Sequence, residues 1–106
     1  MPDNRTTFIV PHRHPAFAGH FPGHPILPGV VLLDYLRHWL LACQPEPMSE
    51  FHLIQAKFLR PVLPGNLLTV SLHTNDQRRY RLQAHVGEHL VAHAEFRHAL
   101  AADASA

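Results

Sequence analysis

Apolar and polar residues alternate along this chain with two different periods, and each change of period marks a new element. Thr6 to Val10 (Thr-Thr-Phe-Ile-Val) is β-branched and aromatic and predicts a first strand. From Val30 to Cys43 the chain reads Val-Val-Leu-Leu-Asp-Tyr-Leu-Arg-His-Trp-Leu-Leu-Ala-Cys, which has the length and composition of a helix. Pro28 stands at a favoured first-turn position, and Pro45 lies just past the helix end. On a wheel of about 100° per residue the apolar side chains of this run go nearly all the way round. A helix of that kind is expected to be buried. Pro45 to Ser49 reads as a linker. Four period-two segments follow: Phe51 to Phe58, Leu67 to His73, Tyr80 to Val86 and His89 to His98. Short turns at Thr74-Asn-Asp-Gln77 and Gly87-Glu88 join the last three, so these should form an antiparallel meander.

Between the first strand and the helix lies a stretch dense in Pro11, Pro15, Gly19, Pro22, Gly23, Pro25, Pro28 and Gly29. Proline removes ladder and helix bonds while glycine loosens the backbone, so this stretch predicts a long loop. Phe17, Phe21, Ile26 and Leu27 give it an apolar side to pack on the body. Long loops in compact domains are commonly functional. The order strand, loop, helix, four strands implies an α+β domain in which an antiparallel sheet wraps around one central buried helix. The expected organisation is a single domain over 1–106, with its core in 6–98 and a frayed tail at 99–106.

Composition narrows the function classes. A length of 106 residues suits one domain, and 46% apolar with 16% charged residues excludes a disordered chain. A formal net charge of +1, with no basic helix or aromatic-basic stripe, argues against a nucleic-acid partner. The run from Val30 to Cys43 is interrupted by Asp34, Arg37 and His38 and falls short of the roughly 20 residues a membrane span takes. Cys43 is the lone cysteine, and Met1-Pro-Asp-Asn-Arg-Thr lacks the apolar core of a signal peptide, so a cytoplasmic setting is expected. Eleven histidines raise the question of metal. The close pairs His12/His14, His20/His24 and His89/His93 come without a Cys ligand set or a His-Glu-x-x-His, and no metal is expected. Without a dinucleotide-binding glycine motif or a phosphate loop, no organic cofactor is expected either.

The candidate chemistry sits where the loop enters the helix: His20-Phe-Pro-Gly-His-Pro-Ile-Leu-Pro-Gly-Val-Val-Leu-Leu-Asp34. Gly29 stands at the helix opening, where unpaired N–H groups and the positive end of the dipole suit a developing oxyanion. Asp34 lies within an apolar helix, and partial burial there favours its protonated form. His20, in a proline-stiffened loop, suits a base working near neutral pH. A base, an acid and an oxyanion donor are what proton abstraction beside a carbonyl needs. The plainer reading of Asp34 is an ion pair with Arg37 or His38 on a solvated helix face. Tyr35 and Trp39 read as core or interface contacts. Arg60, Arg78, Arg79 and Arg81 read as a solvated edge, which an acidic carrier would also favour.

Residues 20–34 resemble the catalytic segment of the 3-hydroxyacyl-(acyl carrier protein) dehydratases, hotdog-fold enzymes with His-Phe-Pro-Gly-x-Pro-x-x-Pro-Gly followed by an apolar run and an acidic residue. Lys57-Phe-Leu-Arg-Pro-Val-Leu-Pro-Gly65 resembles a second, strand-end motif of the same enzymes. The common branch carries Glu at the position of Asp34; a branch that also isomerises the double bond carries Asp there but departs at Pro22. In size the chain looks like the small dehydratases of aryl polyene pathways. The resemblance implies that His20 and Asp34 are catalytic, that Gly29 forms the oxyanion hole, and that Phe21, Pro22, Gly23, Pro28 and Val30 meet the substrate. It further implies a homodimer whose active sites lie at the interface, with His20 of one chain facing Asp34 of the other. The substrate would be an acyl carrier protein or coenzyme A thioester. The alternatives on the same fold are an acyl thioesterase and a non-catalytic partner subunit.

Overall fold

The structure, a computed structural model, describes residues 4–11, 26–44, 50–75 and 78–99. Its elements are β1 (Asn4–Ile9), α1 (Gly29–Ala42), β2 (Glu50–Phe58), β3 (Leu67–Thr74), β4 (Arg79–Val86) and β5 (His89–Ala99). Every strand expected from the alternation is present, with ends moved by at most two residues. The expectations for the loop at 12–25, the linker at 45–49 and the tail beyond Ala99 lie outside the described residues.

All five strands form one antiparallel sheet in the order β1-β3-β4-β5-β2. Within the meander β3-β4-β5, a local turn at Gly87-Glu88 joins β4 to β5. Gly87 carries φ +59 at the first position of the β4–β5 turn, a conformation glycine adopts without a Cβ penalty. Ahead of β3, Leu63-Pro64-Gly65-Asn66 is another tight turn, with Gly65 at φ +82 and Asn66 N–H donating to Leu63 O (3.2 Å). Gly65 N–H and Val10 O (2.8 Å) then tie this turn to the end of β1.

The inner face of the sheet carries Leu68, Val70 and Leu72 of β3 and Leu82 and Ala84 of β4, all buried. Against them α1 sets Leu32, Leu36 and Leu40, spaced by four and therefore on one stripe. Tyr35 meets Phe8 edge to face at 5.3 Å, and Trp39 packs partly buried on the same core, as expected of core contacts.

The helix departs from the all-round burial its wheel predicts. Val30 keeps 75% of its accessible surface, and Asp34, Arg37 and His38 are exposed. The physical reason is that one sheet covers one side of a helix, and among the described residues nothing else covers the rest. The edge strand β2 shows the same excess: Leu53, Ile54 and Phe58 are between 42% and 49% exposed. A bulge between Leu53 and Gln55 interrupts its pairing with β5, and among the described residues no strand pairs with its other edge.

Candidate active site

Pro28 caps α1 in an extended conformation (φ −60, ψ 142), one residue ahead of the first-turn place expected for it. Its carbonyl accepts from Val31 N–H (3.0 Å) and Leu32 N–H (3.2 Å). No side chain caps the helix, so the N–H groups of Gly29 and Val30 have no acceptor among the described residues. They sit at the positive end of the helix dipole, where a developing oxyanion is best stabilised.

The second motif is what walls this helix start. Leu27 N–H donates to Val62 O (2.8 Å), stitching the segment before the helix to the segment after β2. A bulge opposite Ala84 and His85 leaves Val91 out of the β4–β5 ladder, and its carbonyl accepts from Leu59 N–H (2.8 Å) and Arg60 N–H (3.2 Å). Between the two segments lies a pocket of about 310 Å³ lined by Leu27, Pro28, Gly29, Phe58, Arg60 and Val62 among others. The Phe58 ring closes on Gly29 so tightly that a Cβ there would lie 3.1 Å from its carbons. Glycine at position 29 thus lets the Phe58 ring lie close over the helix start. The roles of Phe58 and Arg60 in this wall were missed in reading the sequence. The signal available was the second motif itself, whose alternation marks a strand end but not what that end faces.

Asp34 lies on the exposed side of α1, lining a shallow groove of about 170 Å³ with Val30, Leu33, Arg37, Leu53 and Phe96. Its expected partial burial is absent in the single chain, where its side chain remains 63% exposed. The cause is the uncovered helix face described above. The ion-pair reading is met in part. His38 Nδ1 lies 3.4 Å from Asp34 Oδ2, whereas Arg37 makes no ion pair with it among the described residues. Of the other expected substrate contacts, Pro28 lines the Gly29 pocket and Val30 the Asp34 groove. His20, Phe21, Pro22 and Gly23 lie outside the described residues, and with them the expected pairing of His20 with Asp34. Arg79 bonds Glu95 Oε2 at 2.6 Å on the far face of the sheet, remote from the helix start. Among the described residues no three His, Cys, Asp or Glu side chains are grouped to hold a metal ion. No helix there is long and apolar enough to cross a membrane.

An open antiparallel sheet packed on one long helix is the hotdog fold. Residues 3–95 match the family described as ApeI-like, ApeI dehydratase, and the chain belongs to that family. It is 32% identical over 105 residues to a 3-hydroxyacyl-[acyl-carrier-protein] dehydratase FabZ of Ehrlichia chaffeensis, covering 89% of this chain and 73% of that one. The FabZ of Symbiobacterium thermophilum is 36% identical over 97 residues, covering 81% and 68%. Among solved structures the chain resembles the dehydratase heterocomplex ApeI:P of Xenorhabdus doucetiae, with TM-score 0.78, 20% identity, and 94% and 97% of the two chains covered. A fluoroacetyl-CoA-specific thioesterase, FlK, shares the fold more loosely, at TM-score 0.60 and 19% identity.

Proposed function

We propose that the chain removes water from 3-hydroxyacyl thioesters carried on acyl carrier protein, giving trans-2-enoyl thioesters for fatty acid or aryl polyene type synthesis. The observation that carries this reading is the helix α1 itself. It offers two unpartnered N–H groups at its start and, five residues beyond Gly29, a carboxylate beside an apolar groove. In the reaction, His20 takes the C2 proton and charge builds on the thioester oxygen. The Gly29 N–H group receives that charge, and Asp34 gives a proton to the departing hydroxyl. All of this is acid–base chemistry with no electron transfer, and the thioester survives it.

The site is completed by a second chain. Val30 and Leu53 are exposed beside Asp34, and β2, which carries Leu53, is an edge strand of the sheet. A homodimer covering this face would dry the carboxylate and bring a second loop towards it. The setting is the cytoplasm, where carrier-bound acyl chains are elongated.

Incubation with a panel of 3-hydroxyacyl thioesters, on carrier protein and on coenzyme A, tests the reading by product mass. Loss of one water with the thioester intact is expected for at least one member. Free acid and free thiol from every member would replace it with thioester hydrolysis, the thioesterase alternative. Unchanged substrate throughout would favour the non-catalytic subunit.

A further inference from the structure

His38 lies one turn beyond Asp34 on the same face of α1, and its ring makes two approaches to that residue. Nδ1 is 2.9 Å from the Asp34 main-chain carbonyl and 3.4 Å from the carboxylate Oδ2. A carbonyl oxygen can only accept, so Nδ1 carries a proton and donates it. One donor therefore faces both the backbone of Asp34 and its reactive oxygen. The hydrogen bond goes to the carbonyl and Oδ2 stands at ion-pair distance; no other described side chain, Arg37 in the same groove included, comes within that distance of the carboxylate. We infer that His38 is the positioning residue of the acidic group: its Nδ1–H holds the Asp34 carboxyl in one orientation towards the groove. The inference rests on the catalytic reading of Asp34.

The chemistry favours a ring over a guanidinium in this place. A carboxyl that gives a proton away in each turnover must also be able to take one up. A bidentate arginine would hold it ionised through a fixed charge. A single N–H donor shared with a main-chain carbonyl orients the group at lower electrostatic cost to its protonated form. The ring is anchored by the carbonyl, so it need not follow the carboxyl as the proton leaves. Both side chains are exposed in the single chain, His38 at 73% and Asp34 at 63%. A surface pair of this kind adds little to stability. Once a partner chain covers the groove, water no longer competes for Oδ2 and the same contact becomes a stronger constraint.

The experiment is steady-state kinetics of His38→Ala, His38→Gln, Asp34→Asn and the double variant His38→Ala/Asp34→Asn on one dehydrated 3-hydroxyacyl thioester, beside thermal melts. His38→Ala should lower kcat about tenfold, within the range that ångström-scale misplacement costs, while KM and melting temperature hold. His38→Gln, whose amide N–H can reach the same oxygens, should recover most of kcat. In the Asp34→Asn background the His38→Ala change should cost nothing further. Wild-type kcat in His38→Ala overturns the inference, as does failure of Gln to rescue, or a full tenfold loss persisting in the Asp34→Asn background. Wild-type turnover in Asp34→Asn alone overturns the catalytic reading of Asp34 and this inference with it. Loss in Asp34→Asn with none in His38→Ala leaves that reading standing and removes only the role of His38.

Discussion

At the scale of single residues, Asp34, the acid proposed for the reaction, contributes little to the fold. Asp34 is exposed, and among the described residues its carboxylate pairs only with His38, so its replacement should leave the core intact. Asp34→Asn keeps size and polarity but cannot cycle a proton, and turnover should fall by about 10²–10⁴-fold with little change in melting temperature. His20→Ala should lose a similar factor, and the double variant should be little worse than either single, because the two act as one unit. Single-turnover assays on the four proteins check this; losses that multiply would separate the two residues. Gly29 behaves differently, because it answers to packing as well as chemistry. A Cβ there would press on the Phe58 ring at 3.1 Å, but that ring is half exposed and can swing away. Gly29→Ala should therefore move stability by no more than about 1 kcal/mol, the scale of the Gly–Ala helix preference. The displaced ring would disturb the pocket beside the free N–H groups, so turnover should drop while the melt barely shifts.

At the scale of elements, what each segment becomes was legible and where it goes was less so. Alternation places β3, β4 and β5 to within a residue or two because their inward positions (Leu68, Val70, Leu82, Ala84, Ala92, Ala94) are apolar almost without exception. The two-residue link at Gly87-Glu88 makes the β4–β5 hairpin a local matter. The pairing of β2 with β5 and of β1 with β3 is non-local, and nothing in a period of two names a strand's distant neighbour. The helix wheel was misleading for a related reason. It reports how apolar each side of α1 is, but not whether this chain or another supplies the cover. Two substitutions on α1 separate these cases. Leu36→Ala, at 1% exposure in the middle of the buried stripe, should cost about 2–5 kcal/mol by urea unfolding. Val30→Ala, at 75% exposure, should stay within about 0.5 kcal/mol in the isolated chain. A Val30 effect that grows with protein concentration would place that side chain in an interface.

At the scale of the whole molecule, the uncovered side of α1 and the open edge of β2 form one continuous problem. A chain of this size buries only a modest fraction of its surface, and exposed Val30, Leu53, Ile54 and Phe58 add apolar area that water disfavours. An edge strand nine residues long with few charges is a template for pairing with another strand. Asp34 lies in the groove between these two features, alongside Val30 and Leu53, so covering them also encloses the carboxylate. Association and activity should then be linked through one surface. Sedimentation at micromolar concentration should find a dimer or a multiple of it, not the 12.0 kDa chain alone. Leu53→Glu places a charge in the groove without touching the buried stripe of α1, whose Leu32, Leu36 and Leu40 face the sheet. It should shift the protein to monomers, leave the folded far-ultraviolet signal in place, and abolish turnover. Mixing inactive monomers of this variant with wild type should not restore its share of activity. A monomeric wild type that dehydrates its substrate at full rate would show instead that one chain closes its own site, with the loop carrying His20 reaching Asp34 of the same helix.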